Sequence, residues 1–309
     1  MKILFMGTPD FAVPCLDILI KSRHDVCGVV TQPDKPQGRG HKLTPTPVKK
    51  LAAEHQIPVF QPETLKDFAF EAELKRLNPD MIVVVAYGKI LPEYILDFPK
   101  FGCINMHASL LPKYRGAGPI QWSVINGEEK TGITSMLMEK GLDTGDMLLK
   151  VETGIGEYET AGELHDRLMI MGAELLLKTV EKAEKGELKP EKQNDEESCY
   201  APMISKETAK IDWSRSARVV SKLIAGMNSW PIAHTLYKGE ILKIYRAVVK
   251  GAARGKTGQI LAADEKGLEI LCGDGVSILA TEVQFAGSKP MKVRDYLNGH
   301  SIEVGEILI

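Results

Sequence analysis

The chain has 309 residues, enough for one large domain or two ordinary ones, and its 44% hydrophobic and 26% charged content excludes a disordered tail protein. The formal net charge of −2 hides an asymmetry: residues 1–205 hold 24 Lys and Arg against 30 Asp and Glu, a net of −6, whereas residues 206–309 hold 15 against 11, a net of +4. A basic C-terminal third suits a polyanionic partner, although an excess of four charges also arises by chance. No apolar run approaches the ~20 residues that span a bilayer, and the N-terminus has no signal-peptide cleavage pattern. The five cysteines (15, 27, 103, 199, 272) are scattered without a C-x-x-C pair, which argues against a disulfide framework or a zinc site. A cytoplasmic protein with no membrane partner is the expectation.

Lys2–Met6 reads as a buried strand that stops at the turn Gly7-Thr8-Pro9-Asp10, and Phe11–Ser22 follows with a helical apolar period. His24–Thr31 is a second strand, Val48–His55 a helix, Pro58–Phe60 a short strand and Phe68–Leu77 a helix. Met81–Ala86 is the most continuous apolar run, as a central parallel strand covered on both faces requires. This alternation predicts an α/β fold with a doubly wound, mostly parallel sheet, whose ligands bind beyond the carboxyl ends of the strands. A long helix runs from Thr160 to about Lys185, and the polar stretch 187–205 reads as the boundary. After a short helix at 216–225, strands at 241–248, 258–262, 267–271 and 275–280 alternate apolar and polar residues between Gly-rich turns, which predicts a small β-barrel or sandwich. Trp122, Trp213 and Trp230 are expected in core positions.

The first strand is followed by a lone Gly7 rather than G-x-G-x-x-G, so a nicotinamide-binding reading rests on fold analogy alone. Walker A and zinc-protease motifs are absent too. The densest polar cluster spans 102–121. With Cys103–His107 as a strand, Asn105 and His107 share a face and aim an amide donor and an imidazole at one small volume. Such a pair suits a carbonyl carbon under attack, where Asn donates to a developing oxyanion and His donates or moves a proton. A capping Asn beside a core His is the alternative. The acidic turn Gly141-Leu142-Asp143-Thr144-Gly145-Asp146 is either a solvated turn or the source of a carboxylate, Asp143, that orients His107 across the sheet tips.

Asn105-x-His107, Ser109-Leu110-Leu111-Pro112, Tyr114-Arg115-Gly116, Gly118-Pro119-Ile120-Gln121 and Leu142-Asp143-Thr144-Gly145-Asp146 together resemble the 10-formyltetrahydrofolate-dependent formyltransferases. Gly7–Ala12, Thr31-Gln32-Pro33-Asp34, Gly38-Arg39-Gly40, Pro45-x-Pro47-Val48-Lys49 and Val85-Ala86-Tyr87-Gly88 are similar to the branch that acts on initiator methionyl-tRNA, and the likeness runs over essentially the whole chain.

The resemblance implies a Rossmann-like catalytic domain over 1–188, a linker at 189–207 and an OB-like β-barrel at 208–309 that holds tRNA by shape and charge. It implies direct attack of the methionyl α-amine on the formyl group of 10-formyltetrahydrofolate, a consumed co-substrate, through a tetrahedral intermediate and with no metal. Asn105 and His107 would stabilise the oxyanion, and Asp143 would tune His107 and help take protons. Ser109, Leu110, Leu111 and Pro112 would bind the folate, with Tyr87 and Gly88 at the pocket edge. The basic loop 34–50 would bring Lys35, Arg39 and Lys42 to the tRNA acceptor end, with His41 where a more basic residue is expected. Arg215, Arg218, Lys222, Lys243, Arg246, Lys250, Arg254 and Lys256 are candidate phosphate contacts, and a monomer is expected. The competing readings are a formyltransferase for a small amine, a formylfolate hydrolase and a non-catalytic RNA-binding module. The intact Asn105, His107 and Asp143 set opposes the last, and the basic C-terminal domain opposes a glycinamide ribonucleotide acceptor.

Overall fold

The structure, a computed structural model, describes residues 1–37 and 42–309. The chain packs as two compact units. The first comprises Met1–Gly116, Gly132–Thr153 and His165–Tyr200, and the second Ala117–Thr131, Gly154–Leu164 and Ala201–Ile309. Where the sequence suggests two consecutive ranges joined by a linker, the units therefore interleave, and the polar stretch 189–207 is divided between them.

The first unit is built on a seven-stranded sheet in the order Met147–Gly154, Lys130–Leu137, Cys103–His107, Met81–Val85, Lys2–Gly7, Asp25–Val30, Val59–Phe60. Pairing is parallel from Cys103–His107 through to Val59–Phe60, and Lys130–Leu137 runs antiparallel to Cys103–His107. Residues 3–6 and 81–85 are buried without alternation, because helices cover both faces of a doubly wound sheet. Register places Val84 opposite Asn105 and Val85 opposite Gly7, which brings the ends of three strands together.

Local signals set the helix starts. The Thr46 hydroxyl accepts from the Lys49 N–H at 3.2 Å, and Pro47 occupies the first turn of Pro47–Glu54, where its missing N–H costs nothing. The 25-residue helix Ala161–Lys185 begins with a reciprocal cap: the Glu163 N–H donates to the Thr160 hydroxyl at 3.2 Å, and the Thr160 N–H donates to the Glu163 carboxylate at 2.9 Å. The predicted helix over 11–22 is instead a short 3₁₀ turn, Asp10–Ala12, followed by the α-helix Val13–Ile20. Pro14, which lacks an N–H, can enter a helix only in its first turn and so fixes that start.

The second unit contains an antiparallel sheet in the order Ala233–Tyr237, Glu240–Ala252, Val276–Gln284, Gly267–Leu271, Ile260–Asp264, with Met291–Lys292 also paired to Val276–Gln284. Residues 305–309 join its two outer strands. The N–H groups of Gly305 and Leu308 donate to the carbonyls of Ile260 and Gly258, while the Leu236 N–H donates to the Ile309 carbonyl, all at 2.8–2.9 Å. The sheet is thereby closed, which removes its free edges as a barrel does. Ile224, Met227, Leu242, Ile244, Ile270, Ile278 and Val283 form the apolar centre, with the helix Ala217–Met227 contributing its buried face. Trp213 is buried and Trp122 half-buried, but Trp230, expected inside, is 59% exposed.

Candidate active site

The strand Cys103–His107 carries the first two site residues on one face, with His107 buried and Asn105 half-buried. The third comes from the turn after Lys130–Leu137. That strand is antiparallel to Cys103–His107 and pairs Leu137 with Ile104, so its turn leaves from the far end and must double back to bring Asp143 alongside.

The doubling back sets the glycine positions. A Cβ on Gly145 would lie 1.9 Å from the Leu137 carbonyl oxygen, and one on Gly141 would lie 1.9 Å from the Thr144 hydroxyl. Asp143 itself has a left-handed backbone, φ 54°, unusual for a residue with a side chain. Its carboxylate accepts from the Gly116 N–H at 2.9 Å, and the Asn105 amide donates to it at 3.5 Å, the outer limit of a hydrogen bond. His107 Nδ1 faces Asp143 Oδ2 at 3.7 Å. His107 Nε2 lies 2.8 Å from the Tyr114 carbonyl, which can only accept, so Nε2 carries its proton. The nitrogen available for proton traffic is therefore Nδ1.

Ser109–Pro112 form the turn beyond His107. The Ser109 hydroxyl donates to the Lys113 carbonyl at 2.6 Å, and the buried Thr134 hydroxyl donates to the Ser109 carbonyl at 2.7 Å while accepting from the Leu111 N–H at 3.1 Å. Leu111 packs with Met136 and Met147 below the turn, and Leu110 and Pro112 are half-buried. On the neighbouring strand end, Gly88 is exposed with φ 82°, but the Tyr87 ring sits in the core at 2% exposure among Leu4, Met6, Leu65 and Phe70. The Tyr87 carbonyl accepts from the Thr8 hydroxyl and the Gln32 amide, whereas its hydroxyl has no hydrogen-bond partner among the described residues. Burial pushes that phenol up to about 12.

Of the basic loop, Arg39 and His41 lie outside the described residues, Lys42 is described only in its backbone, and Lys35 is exposed on a two-stranded ribbon, Lys35–Gln37 with Lys42–Thr44. Lys49 is tied to Asp34 at 2.6 Å and to Gln61 at 2.7 Å, which anchors the base of the ribbon and holds the Asp34 carboxyl below its usual range. In the second unit Arg246 pairs with Glu163, Lys250 with Glu269, and Lys222 donates to the Glu157 carbonyl.

Sequence reasoning missed Gln193, Cys199 and the main chain of Tyr114 and Gly116. They lie in segments with no periodicity, and main-chain roles leave no mark on residue type. All five cysteines are free thiols, and burial pushes Cys15, Cys103 and Cys272 up to about 12. Among the described residues no group of three or more His, Cys, Asp or Glu side chains could hold a metal ion, and no helix is long and apolar enough to cross a membrane.

An open, mostly parallel sheet with an amide, an imidazole and a carboxylate gathered at one strand defines a class: the chain belongs to the formyl transferase family, whose model matches residues 1–180, with the formyl transferase C-terminal domain matching 203–301. Within that family it is 56% identical over 310 residues to the methionyl-tRNA formyltransferase of Alkaliphilus oremlandii (strain OhILAs), covering 100% of this chain and 99% of that protein. The same fold is seen in methionyl-tRNA formyltransferase from Clostridium thermocellum, with TM-score 0.58 and 18% identity, covering 92% of this chain and 98% of that one. It also appears in HypX from Aquifex aeolicus in complex with tetrahydrofolic acid, with TM-score 0.67 and 17% identity, covering 99% of this chain and 50% of that one.

Proposed function

We propose that the protein transfers the formyl group of 10-formyltetrahydrofolate to the α-amine of initiator methionyl-tRNA, for translation initiation. The observation that carries this reading is the convergence of Asn105, His107 and Asp143 at one point of the sheet, in a chain about half of whose residues match methionyl-tRNA formyltransferases along their full length. The amine nitrogen attacks the formyl carbon, and the carbonyl oxygen becomes an oxyanion that accepts from Asn105 Nδ2 and from His107 Nδ1, which for this holds a second ring proton, taken from solvent, beside the one on Nε2. Asp143 faces that same Nδ1 and takes up the proton the amine gives off. The C–N10 bond then breaks as the oxyanion collapses, N10 receives the proton that Asp143 took up, and tetrahydrofolate leaves with Asp143 a carboxylate again.

The folate runs along the Ser109–Pro112 turn and the main chain at Tyr87 and Gly88, a reading supported by the position of both segments after neighbouring parallel strands of the sheet. Lys35, Arg39 and Lys42 meet the acceptor end of the tRNA. The domain from 208 onward takes its arm, with Arg215, Arg218, Lys243, Arg254 and Lys256 as the phosphate contacts. The protein acts as a cytoplasmic monomer and needs no metal.

The test is stoichiometry. With labelled formyl donor and charged initiator tRNA, one tetrahydrofolate should be released for each formylmethionyl-tRNA formed. Release of tetrahydrofolate with free formate and no labelled tRNA would make the protein a hydrolase and overturn the reading.

A further inference from the structure

The stretch that the sequence presents as a polar connector braces the candidate catalytic turn. Gln193, 6% exposed, has its whole amide engaged: Nε2 donates to the carbonyls of Asp143 and Gly145, each at 2.8 Å, and Oε1 accepts from Arg115 Nε at 2.9 Å. The amide orientation follows from chemistry, because carbonyls only accept and a guanidinium only donates. Around it the same stretch holds the neighbouring loop. Arg115 Nη2 donates to Asp195 at 2.8 Å, the Arg115 N–H donates to the Cys199 carbonyl at 2.9 Å, and the Tyr114 N–H to Cys199 Sγ at 3.2 Å.

Tyr114 and Asp143 are the two residues that face His107, one on each ring nitrogen. Both have left-handed backbones, φ 61° and 54°, which residues with side chains keep only where the surroundings hold them. Gln193 spans the gap between them, from the side chain next to Tyr114 to the main chain of Asp143 itself. A shorter side chain would not reach both loops, a carboxylate would face two carbonyls, and an apolar one would leave the buried Gly145 carbonyl without this donor.

We propose that Gln193 is a positioning residue for formyl transfer, fixing the spacing of the Tyr114 and Asp143 loops so that the Asp143 carboxylate stays on His107 Nδ1. This rests on the roles proposed above for His107 and Asp143, and adds to them the group that keeps the two in place. The test compares Gln193→Glu, which keeps the shape, and Gln193→Met, which removes the donors without adding charge. In both, kcat should fall on the order of 10–100-fold, as for a misplacement of up to about an ångström, while KM for each substrate stays within about threefold.

A second readout needs no substrate: the NMR titration midpoint of the His107 imidazole in Gln193→Met should move from its wild-type position. If the wild-type enzyme formylates no tRNA, the functional reading fails, while the titration still judges the positioning role. A wild-type kcat, a loss confined to KM, or a kcat loss that comes with a lowered melting temperature and an unmoved His107 midpoint would each overturn the proposal. Should Gln193→Glu fail to fold, Gln193→Met carries both readouts.

Discussion

Asn105 and His107 stand two residues apart on a strand, and that spacing alone puts them on one face. The oxyanion role proposed for Asn105 depends on its amide donor, so Asn105→Ala should lower kcat on the order of 100–1,000-fold with little change in folate affinity. Rapid-quench turnover measurements check it, and near-normal turnover would remove Asn105 from the chemistry. Tyr87 gives the opposite expectation. Its hydroxyl is buried without a partner among the described residues, and such a group costs about 1–3 kcal/mol to keep dry. Tyr87→Phe should leave the protein as stable or more stable in a denaturant melt, with the folate KM unchanged; a severalfold rise in KM would put the hydroxyl against the folate. At this scale the sequence singles out residues able to bear chemistry but not their partners. Nothing in the type of Tyr114 or Gly116 announces that a carbonyl will orient His107 or that an N–H will hold Asp143.

The elements divide by how openly their burial is written. Met81–Val85 was legible because apolar residues fill a strand covered on both faces, whereas Cys103–His107, with Asn105 and His107 among its five residues, could only be supposed a strand. Lys130–Leu137 was not, since Thr131, Thr134 and Ser135 occupy buried positions and look polar on paper. Two of these hydroxyls are satisfied inside: Thr134 donates to the Ser109 carbonyl, and Thr179 donates to Ser135 at 2.9 Å. The turn that follows is the most constrained element near the site. Gly145→Ala would force a Cβ against the Leu137 carbonyl, so it should destabilise the protein by about 1–3 kcal/mol and cut turnover more than Asp146→Ala does. Thermal melts and initial rates on the two variants decide the point, and a neutral Gly145→Ala would mean that the turn can relax.

At the scale of the whole molecule, the charge split between residues 1–205 and 206–309 was visible in composition, whereas the interleaving of the two units was not. Residues 117–131 and 154–164 look like ordinary parts of an α/β pattern, and only three-dimensional packing assigns them to the second unit. That unit has a pH-sensitive tie. The Arg246 guanidinium, together with the Thr160 N–H, draws the Glu163 carboxyl down from 4.5 to about 2. Because the folded value lies below the unfolded one, the tie stabilises the fold above about pH 4.5 and is lost as pH falls through about 2. Water screens this half-exposed pair, so the effect is modest. Arg246→Ala should narrow the stability gap between pH 5 and pH 2 in urea melts; an unchanged gap would show that the cap alone holds Glu163.

The measurement that bears most directly on the central claim is acceptor selection. Labelled 10-formyltetrahydrofolate would be offered in parallel to charged initiator methionyl-tRNA, to the same tRNA uncharged, and to small amines including methioninamide and an amino sugar. Label is expected to pass to the charged tRNA, with the other acceptors at background. Efficient transfer to a small amine, with the charged tRNA left unformylated, would contradict it.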